Sequence, residues 1–203
     1  MVKSINRSVR GSMRLSVDLG DLAEGCKTGD SISVSGICLT AIEIAGNIAD
    51  FDVSSETIAK STISKWQSGA LVNIEKSLVA DGRLGGHFVL GHVDGTAEIK
   101  RIENKGEFAD ITFAADKGLI EGMIIKGSVA VDGMSLTIVK LNKDNFTVSL
   151  IPQTLNRTTL GKLKAGDKVN IETDLIVKTV KKYMEQFLPK QGFTIEKLHE
   201  LGF

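Results

Sequence analysis

Apolar residues alternate with polar ones in short runs over most of the chain. Strict alternation over four to eight residues is the signature of a half-buried strand. Val2–Ile5 and Met13–Val17 are the first such runs, and a helical turn or loop is expected at Asp21–Gly25. Ile32 and Val34 alternate up to Gly36, and Cys38–Ile44 and Ile48–Val53 predict a hairpin about Ala45-Gly46-Asn47. A short helix is expected over Ser55–Ser61, capped by Ser54 or Ser55, and Leu71–Ile74 is a closing strand. The same order then recurs: Phe88–Val89, Thr96–Ile102, Phe108–Phe113, Val129–Val131, Ser135–Leu141, Phe146–Leu150 and Val169–Glu172 are strands, and Pro152–Thr158 is a turn or short helix. Only the tail changes period. Ile176, Val180, Tyr183, Met184 and Phe187 make an apolar stripe at helical spacing, ended by Pro189, and Thr194–Leu201 predicts a second short helix.

The recurrence is a duplication. Gly29–Glu75 aligns without a gap on Lys126–Glu172 at an offset of 97 residues, Gly133 minus Gly36. Ser31, Leu39, Thr40, Thr57, Thr62 and Val72-Asn73-Ile74-Glu75 all meet identical residues. Many short strands with glycine punctuation favour a barrel or sandwich over a doubly wound sheet, and barrel closure removes exposed edges. The expected fold is all-β: two tandem six-stranded barrels plus a C-terminal helix.

Charge and cysteine content narrow the function classes. Lys plus Arg and Asp plus Glu both number 25, so no net positive charge favours nucleic acid. No apolar run approaches a membrane span, and no signal-peptide core follows the basic N-terminus. Cys26 and Cys38 both lie in the first half and face Met123 and Ser135 in the alignment. A structural disulfide would have been duplicated, so reduced thiols and a cytoplasmic location are expected. His87, His92 and His199 lack the partners that a zinc site needs.

Five motifs occur in order: Ser35-Gly36-Ile37-Cys38-Leu39-Thr40, Gly85-Gly86-His87, Gly91-His92-Val93-Asp94-Gly95, Asp132-Gly133-Met134-Ser135-Leu136-Thr137 and Ile151–Gly161. As a set they resemble riboflavin synthase of the bacterial and eukaryotic type, over nearly the whole chain. The resemblance implies two six-stranded Greek-key barrels, at 1–84 and 85–174, and an oligomerising helix and tail at 175–203 that assembles a homotrimer. It implies a dismutation of 6,7-dimethyl-8-ribityllumazine by four-carbon transfer, without metal or cofactor, and association with lumazine synthase. Similar proteins begin Met-Phe-Thr-Gly-Ile upstream of the position of Val2. The counterparts of Gly91–Ala97 are missing from the first half, so its opening strand is expected to be clipped.

The residues suit that chemistry in different degrees. Cys38 against Ser135 is the clearest divergence between the repeats; a thiol is softer and more acidic than a hydroxyl, although free cysteine is also a common core residue. Ser31, Thr40, Ser135 and Thr137 offer hydroxyls to a heterocycle or ribityl chain, or ordinary strand-end hydrogen bonds. By resemblance, Cys38–Thr40 line one pocket and Ser135–Thr137 the other, with backbone groups of Leu39 and Leu136. Asp52–Thr57 and Ser149–Thr154 form the second lips, with Asp52, Thr57, Ser149 and Thr154 as contacts. His87 and His92 can exchange protons near neutral pH. Gly91 and Val93 flank His92 in the same motif. Lys126 and Asp132 are either site charges or turn residues, and Asp174 resembles a family site residue. Cys38, His92, Ser135 and Asp174 are the expected catalytic set. A lumazine- or flavin-binding protein without catalysis is the rival reading.

Overall fold

The computed structural model describes residues 1–7 and 11–187; the Thr194–Leu201 helix and His199 fall outside them. The strands of the first half are β1 (Val2–Arg7), β2 (Met13–Asp18), β3 (Ser31–Val34), β4 (Ile37–Ala45), β5 (Ile48–Val53) and β6 (Ile74–Lys76). Those of the second are β7 (Gly95–Lys105), β8 (Phe108–Ala114), β9 (Ser128–Val131), β10 (Met134–Leu141), β11 (Asn145–Leu150) and β12 (Lys168–Thr173). Short helices α1 (Ser55–Lys60), α2 (Lys117–Ile120) and α3 (Pro152–Arg157) precede α4 (Leu175–Phe187).

The second half is a closed barrel in the order β10-β11-β8-β7-β12-β9. The first is a six-stranded sheet in the matching order, β1-β2-β5-β4-β3-β6, and it is not closed. In the barrel, Gly95–Glu98 of β7 pair with Ile171–Lys168 of β12. At the 97-residue offset those β7 positions precede or coincide with residue 1. One rung remains: Val2 N–H donates to Ala70 O and Gly69 N–H to Val2 O, both 2.9 Å. Its counterpart is Ile99 with Asp167 and Gly166 at 2.8 Å. The missing ladder also explains why the closing strand begins at Ile74 instead of Leu71. Phe88–Val89, expected as a strand, belongs to an irregular connection.

The duplication extends to backbone irregularities. Bulges lie between Val2 and Ser4 and between Ile99 and Arg101, and again between Ala41 and Glu43 and between Ile138 and Lys140. The two-residue turns Ser35-Gly36 and Asp132-Gly133 both have positive φ throughout, 46° and 77° against 45° and 86°. That is the conformation that matches strand twist in a tight hairpin. Each half has its own core. Phe51, Leu15 and Ile32 are among the buried side chains of the first, and Phe113, Phe146 and Ile111 of the second. Phe113 stacks on Phe146 at 5.2 Å.

A local two-fold relates the halves. A Cβ on Gly36 would lie 2.5 Å from Gly133 N, so these turns touch backbone to backbone. Asn170 Nδ2 donates to Ser35 O (2.8 Å) and its Oδ1 accepts from Thr62 N–H (2.7 Å). Asn73 repeats this in reverse, donating to Asp132 O (3.1 Å) and accepting from Thr159 N–H (2.9 Å). Ser35 Oγ accepts from Asn73 N–H, and Asp132 Oδ1 from Asn170 N–H. Asp132 is therefore a buried structural group at this contact; desolvation, partly offset by the Asn170 N–H, pushes its pKa up to about 7. Asn170→Ala should destabilise the fold by about 1–3 kcal/mol for each of the two groups it strands, Thr62 N–H and Ser35 O. Asn73→Ala, at a less buried site, should cost less; urea unfolding of both variants measures the difference.

Candidate functional site

Two glycines bring the linker between the halves against the residues that differ most between the repeats. Gly91 has φ +76°, and a Cβ there would fall 2.6 Å from Cys38 Cβ. This approach lets Cys38 N–H donate to Gly91 O at 2.8 Å. The buried Glu172 fixes the segment from behind, its two carboxylate oxygens accepting from Leu90 N–H and Gly91 N–H at 2.8 Å each. Upstream, Gly86 lies over Ser135, where a Cβ would come 2.5 Å from Oγ.

His87 follows Gly86 and meets the same hydroxyl. Its N–H donates to Ser135 Oγ at 3.3 Å and its Nδ1 lies 2.8 Å from that oxygen. The hydroxyl can donate to a bare Nδ1 or accept from a protonated one, so the Ser135 bond is compatible with either tautomer. Nε2 is buried without a hydrogen-bond partner among the described residues. Desolvation lowers the His87 pKa below its ordinary value, against the opposing charges of Asp174 and Glu172. The neutral imidazole is thus favoured, which suits a proton acceptor.

These contacts wall a cleft of about 810 Å³ between the halves. Ser31, Ser33 and Cys38 line it from the first half, and Ser135, Leu136, Gln153, Thr154 and Arg157 from the second. Its volume lies within the range of small-molecule sites. Of the residues singled out in the sequence, Ser31, Cys38, His87, Gly91, Ser135, Leu136 and Thr154 meet here.

The others lie elsewhere in this chain. Leu39 is in the first core, and Val93 packs against that core. Thr40, His92 and Thr137 are exposed. Asp52 is held by Arg14 at 3.0 and 3.3 Å. Thr57 is bonded to the capping Ser54, and the Ser149 hydroxyl bonds to Asp110. Lys126 occupies a turn with φ 62°. Asp174 starts α4, its Oδ1 accepting from Ile176 N–H at 2.8 Å. The role of Glu172 was visible in the sequence only as part of a duplicated Val-Asn-Ile-Glu. Among the described residues no group of three or more His, Cys, Asp or Glu side chains can hold a metal ion.

A lumazine-binding-domain family model matches residues 1–77 and again 90–174. Riboflavin synthase of Bacillus subtilis (strain 168) is 44% identical over 199 residues, spanning 95% of this chain and 91% of its own. The chain belongs to the riboflavin synthase family. The Actinobacillus pleuropneumoniae riboflavin synthase is 39% identical over 182 residues, 86% of this chain and 83% of its own. Among solved structures, LumP complexed with riboflavin superposes with a TM-score of 0.77 at 26% identity, over 85% of this chain and 94% of that one. LumP complexed with 6,7-dimethyl-8-(1'-D-ribityl) lumazine gives the same TM-score at 23% identity, over 85% of this chain and 93% of that one, and shares the fold. The domain model matches the chain twice, once on each copy of the repeat.

The His87 environment makes a pH prediction. The folded imidazole should titrate below its ordinary value in an NMR titration, because burial disfavours its charged form. Because the unfolded chain binds this proton more readily, the His87 contribution to stability is present above the unfolded pKa and falls away as pH drops through it.

Proposed function

We propose that the chain catalyses the riboflavin synthase reaction, a dismutation of two 6,7-dimethyl-8-ribityllumazine molecules into riboflavin and 5-amino-6-(ribitylamino)uracil. The observation that carries the reading is the meeting of Cys38 and Ser135, pseudo-symmetric positions of two related halves, on one cleft. A reaction between two copies of one compound needs two related, non-identical binding surfaces, and holding the two reactants together contributes to the rate. Residues 1–84 and 85–174 each supply one surface. Cys38, Ser135, His92 and Asp174 are the proposed catalytic set, and His87, through its bond to Ser135, positions that hydroxyl. Ser31, Leu39, Thr40, Asp52, Thr57, Gly91, Val93, Lys126, Leu136, Thr137, Ser149 and Thr154 complete the proposed binding surfaces.

His92 and the outward-facing Thr40 and Thr137 do not line the cleft of a single chain, which supports a site completed by a neighbouring subunit. Helix α4 is suited to bring that neighbour. Its polar side is tied down by Lys178 to Asp94 and by Lys181 to Glu121, each at 2.9 Å. Its apolar stripe faces outward, with Ile176 58% and Val180 52% exposed. A homotrimer through residues 175–203 buries that stripe. Association with lumazine synthase and a cytoplasmic location, consistent with two free thiols, are further parts of this proposal.

Incubation of the chain with 6,7-dimethyl-8-ribityllumazine should release riboflavin; binding without turnover would favour the non-catalytic flavin binder instead. Cys38→Ser should lower turnover with lumazine binding largely kept, because volume changes little while thiol acidity is lost. Full activity in that variant would reduce Cys38 to a packing residue. Ser135→Ala should weaken binding by roughly 1–3 kcal/mol through the partner it leaves unpaired. Replacing Ile176 and Val180 by Asp should give monomers in analytical ultracentrifugation, and an unchanged oligomer would refute the role of α4.

A further inference from the structure

Helix α4 meets the linker between the halves at one carboxylate. Asp94 Oδ2 accepts from the Thr173 N–H and from the Thr173 hydroxyl, both at 2.8 Å, and Lys178 Nζ donates to both Asp94 oxygens at 2.9 Å. The Asp94 N–H donates in turn to Ile171 O at 2.9 Å. Thr173 ends β12 and Lys178 lies in the first turn of α4, so a single side chain joins strand, linker and helix. The Lys178 and Asp94 side chains are 33% and 28% exposed, so solvent screens this pair less than it screens a fully exposed one.

His92 stands two residues before Asp94, and the chain is fixed on both sides of it. Upstream, Glu172 takes the N–H groups of Leu90 and Gly91, and Gly91 O takes the N–H of Cys38. Downstream, Val93 packs against the first core and Asp94 makes the bonds just described. His92 itself is exposed, and its ring has no hydrogen bond among the described residues. The direction of the ring is therefore set by the backbone that carries it. The upstream anchors belong to the two halves, whereas the downstream anchor is shared with α4. A second lysine offers an internal contrast. Lys181 ties the same helix to Glu121, the residue that follows α2, and its partner is not part of the linker.

We propose that Lys178 and Asp94 are positioning residues for His92, an inference that rests on the reading of His92 as a member of the catalytic set. Neither side chain touches a reactant in this role. Lys178 holds Asp94, Asp94 holds the downstream end of the linker, and the linker aims the imidazole. The helix whose apolar stripe faces a neighbouring subunit thus also sets the placement of a catalytic ring, and the two tasks meet in one ion pair. A helix drawn away from the barrel would release the linker at Asp94 while leaving the Glu172 and Cys38 anchors in place. Removing the charge at Lys178 acts on the same point without touching the stripe.

The test compares Lys178→Met, which keeps the length of the stem, with Lys181→Met. Hydrogen exchange at His92, Val93 and Asp94, turnover of 6,7-dimethyl-8-ribityllumazine and oligomeric state are measured on each. Lys178→Met should keep the oligomer of the parent chain and speed exchange at these amides about tenfold or more. Its kcat should fall about tenfold with KM little changed, because a misplaced catalytic group costs turnover more than substrate affinity. Lys178→Arg, whose fork also reaches both carboxylate oxygens, should restore both readouts. Asp94→Asn, which keeps an acceptor for Thr173, should repeat the effect of Lys178→Met, and the two changes combined should do no more than either alone. Lys181→Met should leave exchange and kcat as in the parent. Equal effects of the two lysine variants overturn the proposal, since the pair would then only dock the helix. Unchanged exchange and kcat in Lys178→Met overturn it too, as does a loss of turnover that appears only with loss of the oligomer. A parent chain that forms no riboflavin refutes the proposed reaction instead, and exchange at 92–94 then decides by itself whether α4 holds the linker.

Discussion

Everything in this molecule hangs on the exchange of two asparagines across a local two-fold. Asn73 and Asn170 each serve the other half, donating to a turn carbonyl and accepting a backbone N–H. Buried amides of this kind are expensive to leave unmatched, so the exchange tolerates little sliding of one half over the other. The bare backbones of Gly36 and Gly133 allow the turns to approach closely enough for it. Cys38 and Ser135 lie two residues beyond those glycines, so the same contact fixes the spacing of the residues that most distinguish the halves.

The pattern of alternation made most of this fold legible before any coordinates. Most strand positions, the α1 cap at Ser54, one of the two serines offered for it, and the Leu175–Phe187 helix follow from local rules, whereas Phe88–Val89 is not a strand and the closing strand starts at Ile74. The offset even predicts the pairing of Val2, which bonds to Gly69 and Ala70 as Ile99 does to Gly166 and Asp167. The first half keeps the strand order of the closed barrel without its closure, in line with the clipped opening strand expected there. Six strands in the right order do not close without the rungs that β7 supplies in the second half.

The cleft was only partly legible. Cys38 and Ser135 stand out in sequence because the repeat makes their difference visible. Glu172 does not, since a carboxylate that holds a loop by two amides looks like any duplicated strand-end residue. Asp132 reads as a candidate site charge, whereas in the fold it is a buried acceptor for Asn170 N–H. Such roles depend on what the linker does in space, and linker placement has no periodic signal. Residues such as His92 and Thr40 pose the converse problem: their chemistry is plain, yet one chain does not gather them.

The exchanged asparagines also say something about ancestry and dissection. An interface in which each side offers the same groups to the other is isologous, the arrangement of a symmetric dimer. The contact thus has the form of a symmetric dimer interface held within a single chain. Neither half is self-sufficient at the contact: each, taken alone, bares a glycine turn and an amide built to meet their own likeness. A liberated half has a ready-made mate in another copy of itself, and the tether's contribution was freedom for the two to become different.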